Sequence, residues 1–486
     1  MNAIQTSKMS NFRWVICSLL FLATTINYMD RQVLSLLNTN YISIDFHWDN
    51  DDYGTITAVF SLFYAVISLF AGKFIDWMGT KKGYISAIIL WSIGACMHAG
   101  CGIATCWIND VDSMTVLKTM DKASQIGLFG LTVSVWLFIG CRMILAMGES
   151  GNFPAAIKVT AEYFPKKDRA LATSIFNAGA SIGALVAPLS IPALADAFGW
   201  EMAFIIIGAL GFVWAGLWLF IYMPPSRSKF VNAAELLYIE SDNANAAETV
   251  AAEEPEEEKN KLSLIDCFKY RQTWSFIVGK FMTDGVWWFF LFWAPDYFNS
   301  LGYPVTTMTG KMLIFVLYLI VTIVSIYGGY LPKLFVEKWG MNPYAGRMRA
   351  MLIFAFFPIF AMFAQPLSGI SPWIPAIIIG LAGAGHQSWS ANLYSTIGDM
   401  FPKSAVATIT GIGTMFGGLC SFAINKVSGV LFDYAEAQGE AFTFFGESGK
   451  PAGYMIVFCY CAVAYLVGWC IMKALVPKYK PVITEE

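Results

Sequence analysis

Apolar runs of about 20 residues recur along this chain, and that is the length an α-helix needs to cross the hydrocarbon core of a bilayer. They fall near 14–37, 53–76, 83–105, 126–161, 169–194, 201–223, 274–298, 310–336, 349–366, 373–398, 406–431 and 453–476. In lipid, backbone N–H and C=O groups must be satisfied within their own segment. The expectation is therefore an all-α membrane protein of twelve transmembrane helices. Runs 126–161 and 310–336 exceed what a span requires and are expected to tilt or to extend past the bilayer. Only 13% of the residues are charged, against about a quarter in soluble domains. A net charge of −3 excludes the basic surface that nucleic acid would demand. The start lacks a cleavable signal, so the first run is expected to stay. Ten cysteines sit mostly inside apolar runs without CxxC or zinc spacing. They are expected to be reduced packing residues, with a disulfide among Cys96, Cys101 and Cys106, near one non-cytoplasmic end, as the alternative.

Basic residues set the orientation. The 35–52, 195–200 and 367–372 connections hold no Lys or Arg. Lys81, Lys82, Lys166, Lys167, Arg169, Lys333, Lys338, Arg347 and Arg349 all fall on the opposite side, together with both termini. The positive-inside rule puts the N- and C-termini in the cytoplasm, as in a multi-pass protein of the cell (inner) membrane. The 224–273 stretch carries ETVAAEEPEEEKNK followed by the amphipathic LSLIDCFKY, the pattern of a cytoplasmic acidic linker with an interfacial helix. The 106–125 connection on the other side is unusually long.

Internal repetition gives the architecture. A shift of 237 residues lays Gly148 on Gly385, Phe164-Pro165-Lys166 on Phe401-Pro402-Lys403, Ala170 on Ala407 and Thr173 on Thr410, and places Glu149 on His386. Two six-helix halves follow, 1–223 and 274–486, joined by 224–273. In transporters built this way the site lies between the halves near the midplane.

Ionisable groups at that depth cost several kcal/mol, of order 3 on insertion scales, unless they face a partner or a wet cavity. Arg142 and Glu149 stand seven residues apart in RMILAMGESGNFPAAIKVTAEYFP, hence on one helical face roughly 10 Å apart. Glu149, a carboxylate in low dielectric, is the candidate proton site with Arg142 as its neighbour. A permanent Arg142–Glu149 pair is the structural alternative. Asp30 and Arg31 are adjacent in the first helix and diverge by about 100°. Arg31 suits a substrate carboxylate through its bidentate fork and Asp30 a proton; a buried ion-pair network is the alternative. Lys280 and Asp284 have the i,i+4 spacing of an ordinary salt bridge, inside an apolar run. His386, Gln387, Trp389, Ser390 and Asn392 form a polar cluster in the tenth helix, with the donors and acceptors a sugar needs. Trp287 and Trp288 suit either a sugar face or packing. Asn152 and Asn177 are candidate cavity residues, and Lys158 with Glu162 a gate or plain salt bridge.

GKFIDWMGTKK, Gly72 to Lys82, resembles the loop motif between helices two and three of the major facilitator superfamily. The resemblance implies a cytoplasmic gate element made by Gly72, Asp76, Gly79, Lys81 and Lys82. INYMDRQVLS, GESGNFPAAIKVTAEYFPKKDRALATSIFNAGASIGA, KFMTDGVWWFFLFW and GHQSWSANLYSTIGDMFPK resemble the anion:cation symporters, the hexuronate branch nearest. Gly285, where proline is expected in that branch, and GIGTMFGGL, which lacks the asparagine of aldonate carriers, depart from the pattern. The resemblance implies a proton-coupled symporter importing glucuronate or galacturonate by alternating access. Glu149, Asp30 and Arg142 would handle the proton. Arg31, Tyr28, Tyr64, Lys280 and the tenth-helix cluster would hold the substrate. The partners implied are a small organic anion, protons and the lipid bilayer, with a monomeric carrier and no cofactor, metal or nucleic acid. An aldonate, tartrate or aromatic-acid carrier is the alternative cargo, and a transport-dead sensor the alternative class. No nucleophile–base pair, metal-ligand cluster or phosphate loop supports an enzyme.

Overall fold

The computed structural model describes residues 9–241, 264–401 and 403–482. The acidic run 248–261 lies outside them, and so does the side chain of Asp76. Among the described residues twelve principal helices follow one another. They are α1 (Phe12–Leu37), α2 (Asn50–Met78), α3 (Thr80–Met97), α4 (Val133–Glu149), α5 (Lys166–Phe198) and α6 (Trp200–Ile221), then α7 (Arg271–Ser300), α8 (Met308–Trp339), α9 (Pro343–Ala355), α10 (Trp373–Met400), α11 (Lys403–Gln438) and α12 (Lys450–Leu475). Ten spans among the described residues are long and apolar enough to cross a membrane by length and composition. The two helices not among them, α7 and α10, carry Lys280 and Asp284 and the polar cluster from His386 to Asn392. These helices trade hydropathy for polar side chains, as lining a wet path requires.

Local chemistry sets the boundaries. Asp49 and Asp52 form the capping box that starts α2. Gly79 (φ 76°) turns α2 directly into α3, and Gly199 (φ 90°) turns α5 into α6, backbone angles that glycine adopts without a Cβ clash. The run 126–161 resolves into pieces: a hairpin of β1 (Gly127–Leu128) and β2 (Leu131–Thr132), then α4, then a further helix Asn152–Tyr163. Pro154 sits in the first turn of that last piece, where its missing N–H costs least. The break therefore falls beside Glu149, the last residue of α4. The other overlong run, 310–336, stays a single helix.

The 106–125 connection is a strap. It holds a short helix, Met114–Leu117, and its Lys118 pairs with Asp45 at 2.8 Å while Lys122 pairs with Asp49 and Asp52. Burial favours the neutral form of Asp49, but Lys122 and the Asp52 backbone amide outweigh it and hold the carboxyl below its ordinary value. A second hairpin, β3 (Thr443–Phe444) and β4 (Glu447–Ser448), precedes α12. All ten cysteines are free.

Within the first half α1 packs on α5 and α3 on α4 and α6; within the second α8 packs on α10 and α7 on α11 and α12. Small residues permit the close approach: a Cβ on Gly183 of α5 would stand 2.5 Å from the Thr25 carbonyl of α1. The halves meet along α2–α11 and α5–α8. Alternation of these twelve described helices leaves the start of α1 and the end of α12 on one side, the terminal side; the α1–α2 connection marks the far side.

Bonds between the halves gather on the far side. The Asp433 carboxylate of α11 accepts from the Asn50 amide and side chain, both 2.8 Å, and from the Asp51 amide at 2.6 Å. Lys426 pairs with Asp51, Lys311 with Asp196 at 3.2 Å, and Lys450 donates to Asn50 at 2.8 Å. Tyr53 donates to the Phe292 carbonyl at 2.7 Å.

Candidate functional site

In the last two turns of α1, Arg31 is 4% exposed, and Glu149 is fully buried. Arg31 Nε and Nη2 donate to the same oxygen, Glu149 Oε2, at 3.1 and 2.9 Å. Glu149 Oε1 is buried without a partner. The guanidinium lies among three rings, 4.8 Å from the centre of Tyr64, 5.1 Å from Trp288 and 5.2 Å from Tyr28. Trp288 comes from the second half, so the pair sits where the halves meet. Cation–π contact of this kind contributes about 0.5–2 kcal/mol per ring. It holds the cation in a desolvated place without satisfying its N–H donors.

Arg142 and Glu149 share a helix, but Glu149 takes its hydrogen bonds from α1. Arg142 instead lies 5.2 Å from the centre of the Phe60 ring, and its two terminal nitrogens are buried without a partner. The Asp30 carboxylate is likewise buried, faces the Trp91 indole and takes no bond from an arginine, though it lies within electrostatic reach of Glu149 and Arg142. Two acids and two arginines thus form one buried cluster joined by a single ion pair. Unpaired groups at such depth are costly, and a wedge of polar ligand or a proton would relieve them.

The second half holds its own pair. Lys280 Nζ lies 2.7 Å from Asp284 Oδ2 and donates to the Tyr394 hydroxyl at 3.0 Å, with the Tyr394 ring centre at 4.7 Å. Lys280 is 5% exposed, whereas Tyr394 is 37% exposed. Gly417 faces the Asp284 carboxylate, where a side chain would collide with it, which accounts for small residues in GIGTMFGGL. A Cβ on Gly285 would stand 2.7 Å from Cys420 Sγ, so α11 also constrains the position where the sequence departs from proline.

The α10 cluster divides. His386 stacks on Trp287 (5.4 Å, 7°) and its Nδ1 bonds the Tyr465 hydroxyl at 2.8 Å. Asn392 donates to the Gly328 and Ser388 carbonyls, both 2.8 Å, and so ties α10 to α8. Trp389 is buried with its indole N–H unpartnered. Gln387 and Ser390 are half-buried. Asn152 accepts from Tyr84 at 2.8 Å, with its amide nitrogen unpartnered; Asn177 is exposed. At the gate motif Gly72 and Lys81 are half-buried and Lys82 exposed. Glu162 accepts from Thr80 (2.5 Å) and Tyr222, tying α4's continuation to that turn.

The sequence reading passed over Tyr394 and Phe60. Tyr394 lies two residues beyond the tenth-helix cluster, and a phenol there was the available signal. Phe60 gave none, since nothing local announces which aromatic a guanidinium rests on. Among the described residues no group of His, Cys, Asp and Glu is placed to hold a metal ion.

Comparison with known proteins agrees with this architecture. The model of the Major Facilitator Superfamily matches residues 20–424. The hexuronate transporter of Escherichia coli (strain K12) is 28% identical over 431 residues, 88% of this chain and 89% of that protein. The galacturonate transporter of Dickeya chrysanthemi is 28% identical over 336 residues, 69% of this chain and 86% of that one. Among solved structures, a D-xylose-proton symporter superposes with a TM-score of 0.67 at 14% identity, over 94% of this chain and 97% of that chain.

Proposed function

Because this chain belongs to the Major Facilitator Superfamily, we propose that it is a proton-coupled symporter that imports hexuronates such as galacturonate or glucuronate by alternating access. The coarser part, a multi-pass sugar-acid transporter and not an enzyme, follows from membership and from the relatives. The finer part rests on one observation: a ring-enclosed Arg31 neutralised by Glu149 through a single oxygen.

Charge balance in low dielectric turns that pair into a coupling device. A buried guanidinium needs one counter-charge, since leaving it bare costs several kcal/mol. Without substrate Glu149 supplies that charge. A substrate carboxylate that docks on Arg31 through the guanidinium fork displaces Glu149, which then takes a proton because its ionised form has lost its partner. Substrate and proton therefore load together. One monoanion with one proton moves no net charge, so the pH gradient drives uptake. Asp30 and Arg142 border the same cluster and tune Glu149. Tyr28, Tyr64 and Trp288 cover the sugar faces. Gln387, Ser390, Trp389 and Asn152 supply partners for hydroxyls, with His386, Asn392 and Asn177 at the margin, and Lys280 gives a second anion contact on the exit side.

The basic-residue bias supports a cytoplasmic terminal side in a cell (inner) membrane, with residues 1–223 and 274–486 as the rocking halves and 224–273 as their linker. Bonds gathered on the far side then describe an inward-facing carrier. Gly72, Asp76, Gly79, Lys81 and Lys82 act as the cytoplasmic gate when the halves rock.

Labelled galacturonate and proteoliposomes under an imposed pH gradient test the coupling. Accumulation above equilibrium is expected; equilibration alone removes the proton from the mechanism. Glu149→Gln should keep counterflow exchange and lose gradient-driven accumulation, whereas retained accumulation would leave Glu149 a structural residue. Competition by unlabelled aldonates and tartrate ranks the cargo.

A further inference from the structure

Resting on the alternating-access reading but not on the choice of cargo, we propose that the long strap between α3 and α4 helps to shut the far side by charge. Its Lys122 is a positioning residue: it neutralises the first turn of α2 so that the Asp433 carboxylate of the other half can dock there. The obstacle to docking is visible in the sequence. Residues 49–52 read Asp-Asn-Asp-Asp, and the whole 35–52 connection holds no Lys or Arg. Asp433 accepts from the Asn50 and Asp51 amides and lies within electrostatic reach of Asp49. Glu436 takes a further bond from the Asn50 side chain at 3.2 Å. Closing the far side thus gathers five carboxylates, Asp49, Asp51, Asp52, Asp433 and Glu436, about one helix end. The α2 macrodipole is equivalent to about half a positive charge, too little for five anions.

Two lysines among the described residues make up the difference. Lys122 contacts Asp49 and Asp52 together, and Lys426 of α11 meets Asp51. Lys450 also reaches the Asn50 side chain, but its charge faces Asp296 at 3.0 Å. The two cations differ in allegiance. Lys426 belongs to the second half and leaves with it when the far side opens. Lys122 belongs to the first half and stays, so the surface that Asp433 must approach is kept partly neutral before the halves meet. Asp52 is 2% exposed, so water does little to replace the lysine.

The strap is seated to deliver that charge. Leu117 is fully buried, the Lys118 carbonyl meets His47 Nε2 at 2.8 Å, and the Lys118 ammonium lies 2.8 Å from Asp45. Gln125 donates to the Phe46 carbonyl at 3.4 Å. These contacts fix the strap on the α1–α2 connection, within the first half, without crossing the boundary. A strap that acted only as a tether would depend on shape; one that neutralises depends on the sign of residue 122.

Double electron–electron resonance on the purified full chain separates the two. Labels go on Phe198→Cys, at the exposed far end of α5 and outside the strap, and on Phe445→Cys, in the hairpin before α12, with Cys96, Cys459 and Cys470 replaced by Ser. At neutral pH Lys122→Gln should raise the ratio of open to closed far side at least about fivefold, and Lys122→Glu further, because like charges at a half-buried surface repel. Lys122→Arg should match the parent. The decisive variant adds Asp49→Asn and Asp52→Asn to Lys122→Gln. Asparagine keeps a capping oxygen at both positions but carries no charge, so the ratio should return to within about twofold of the parent. Salt at about 1 M, where the Debye length is about 3 Å, should likewise shrink the Lys122→Gln effect. Two populations that ignore both Lys122→Gln and Lys122→Glu would overturn the proposal. A shift that persists in the triple variant would overturn it too, since that outcome marks a tether. A single distance in the parent and in every variant, with and without galacturonate, would overturn the alternating-access reading itself.

Discussion

The contact between the Asp433 carboxylate and the first turn of α2 sets how firmly the far side stays shut. Three donors reach that carboxylate across the boundary between the halves: the Asn50 amide and side chain and the Asp51 amide, at 2.6–2.8 Å. Hydrogen bonds to a charged group contribute about 1.5–3 kcal/mol each when buried, and an anion at a helix N-terminus adds about 0.3–1 kcal/mol. Asp433 is half-buried at the rim, and water replaces its partners when the halves part. Discounting for that screening leaves about 2 kcal/mol for the set, or about a thirtyfold shift in the ratio of closed to open far side when Asp433 becomes Ala. Phe129 and Phe445 sit on exposed hairpin tips of opposite halves and suit spin labels as cysteines, once Cys96, Cys459 and Cys470 are replaced by Ser. Double electron–electron resonance should show the population at the longer Phe129–Phe445 distance rise about thirtyfold relative to that at the shorter one in Asp433→Ala. An unchanged distribution would refute the reasoning, because the three bonds would then not bear on which state is occupied.

Three further outcomes follow from the same geometry. A Cβ on Gly429 would stand 2.9 Å from the Asp51 Cα and closer still to the Asn50 carbonyl, so Gly429→Val should wedge α11 from α2 and cut uptake at least tenfold while thermal unfolding moves by a few degrees; uptake within twofold of the parent would show that the contact yields without cost. Trp288→Ala removes one of the three rings around Arg31, and the apparent affinity for galacturonate should fall about 5- to 30-fold, the equivalent of about 1–2 kcal/mol; a change under twofold in transport-based competition would mean the ring is packing alone. The Asp49 carboxyl is held below its ordinary 3.8, so its support of the strap is fully present above that value and is lost as pH falls through the lower folded value. Asp52, which shares Lys122 and is raised to about 6 first by burial, loosens its own contact nearer pH 6, so protection of the amides in 114–126 should fall in two stages as pH drops, the second below about pH 4, and protection unchanged down to about pH 3 would show that Lys122 does not hold the strap.

Much of the fold was legible because the bilayer fixes helix length, and because the two halves keep their repeat. The FPK turn and the close-contact glycine Gly148, matched by Gly385, return after 237 residues. What the chain did not disclose is where a helix stops being one. The run 126–161 reads as a single apolar stretch, yet its first residues pair as a hairpin and Ser150–Gly151 interrupts the rest, since Pro154 cannot donate to the turn before it.

The site divides along a similar line. Helical periodicity correctly places Arg142 and Glu149 on one helix, and it correctly brings Lys280 to Asp284, because both statements concern a single helix. Which cation neutralises Glu149 is a question about the crossing of α1 and α4, and periodicity is silent on crossings. The answer, Arg31 rather than Arg142, has a physical root: α1 approaches α5 closely enough through Gly179 and Gly183 to set Arg31 at the depth of the α4 break, whereas Arg142 sits two turns away from Glu149 along its own axis. A charge on a neighbouring helix at contact distance outcompetes one about 10 Å off on the same helix, since Coulomb attraction falls with distance and the near group also donates hydrogen bonds. That preference leaves Arg142 unpaired beside Phe60 and Asp30. The cluster therefore holds one closed pair and one open cation, so a carboxylate that docks on Arg31 or a proton that lands on Glu149 alters its charge balance directly.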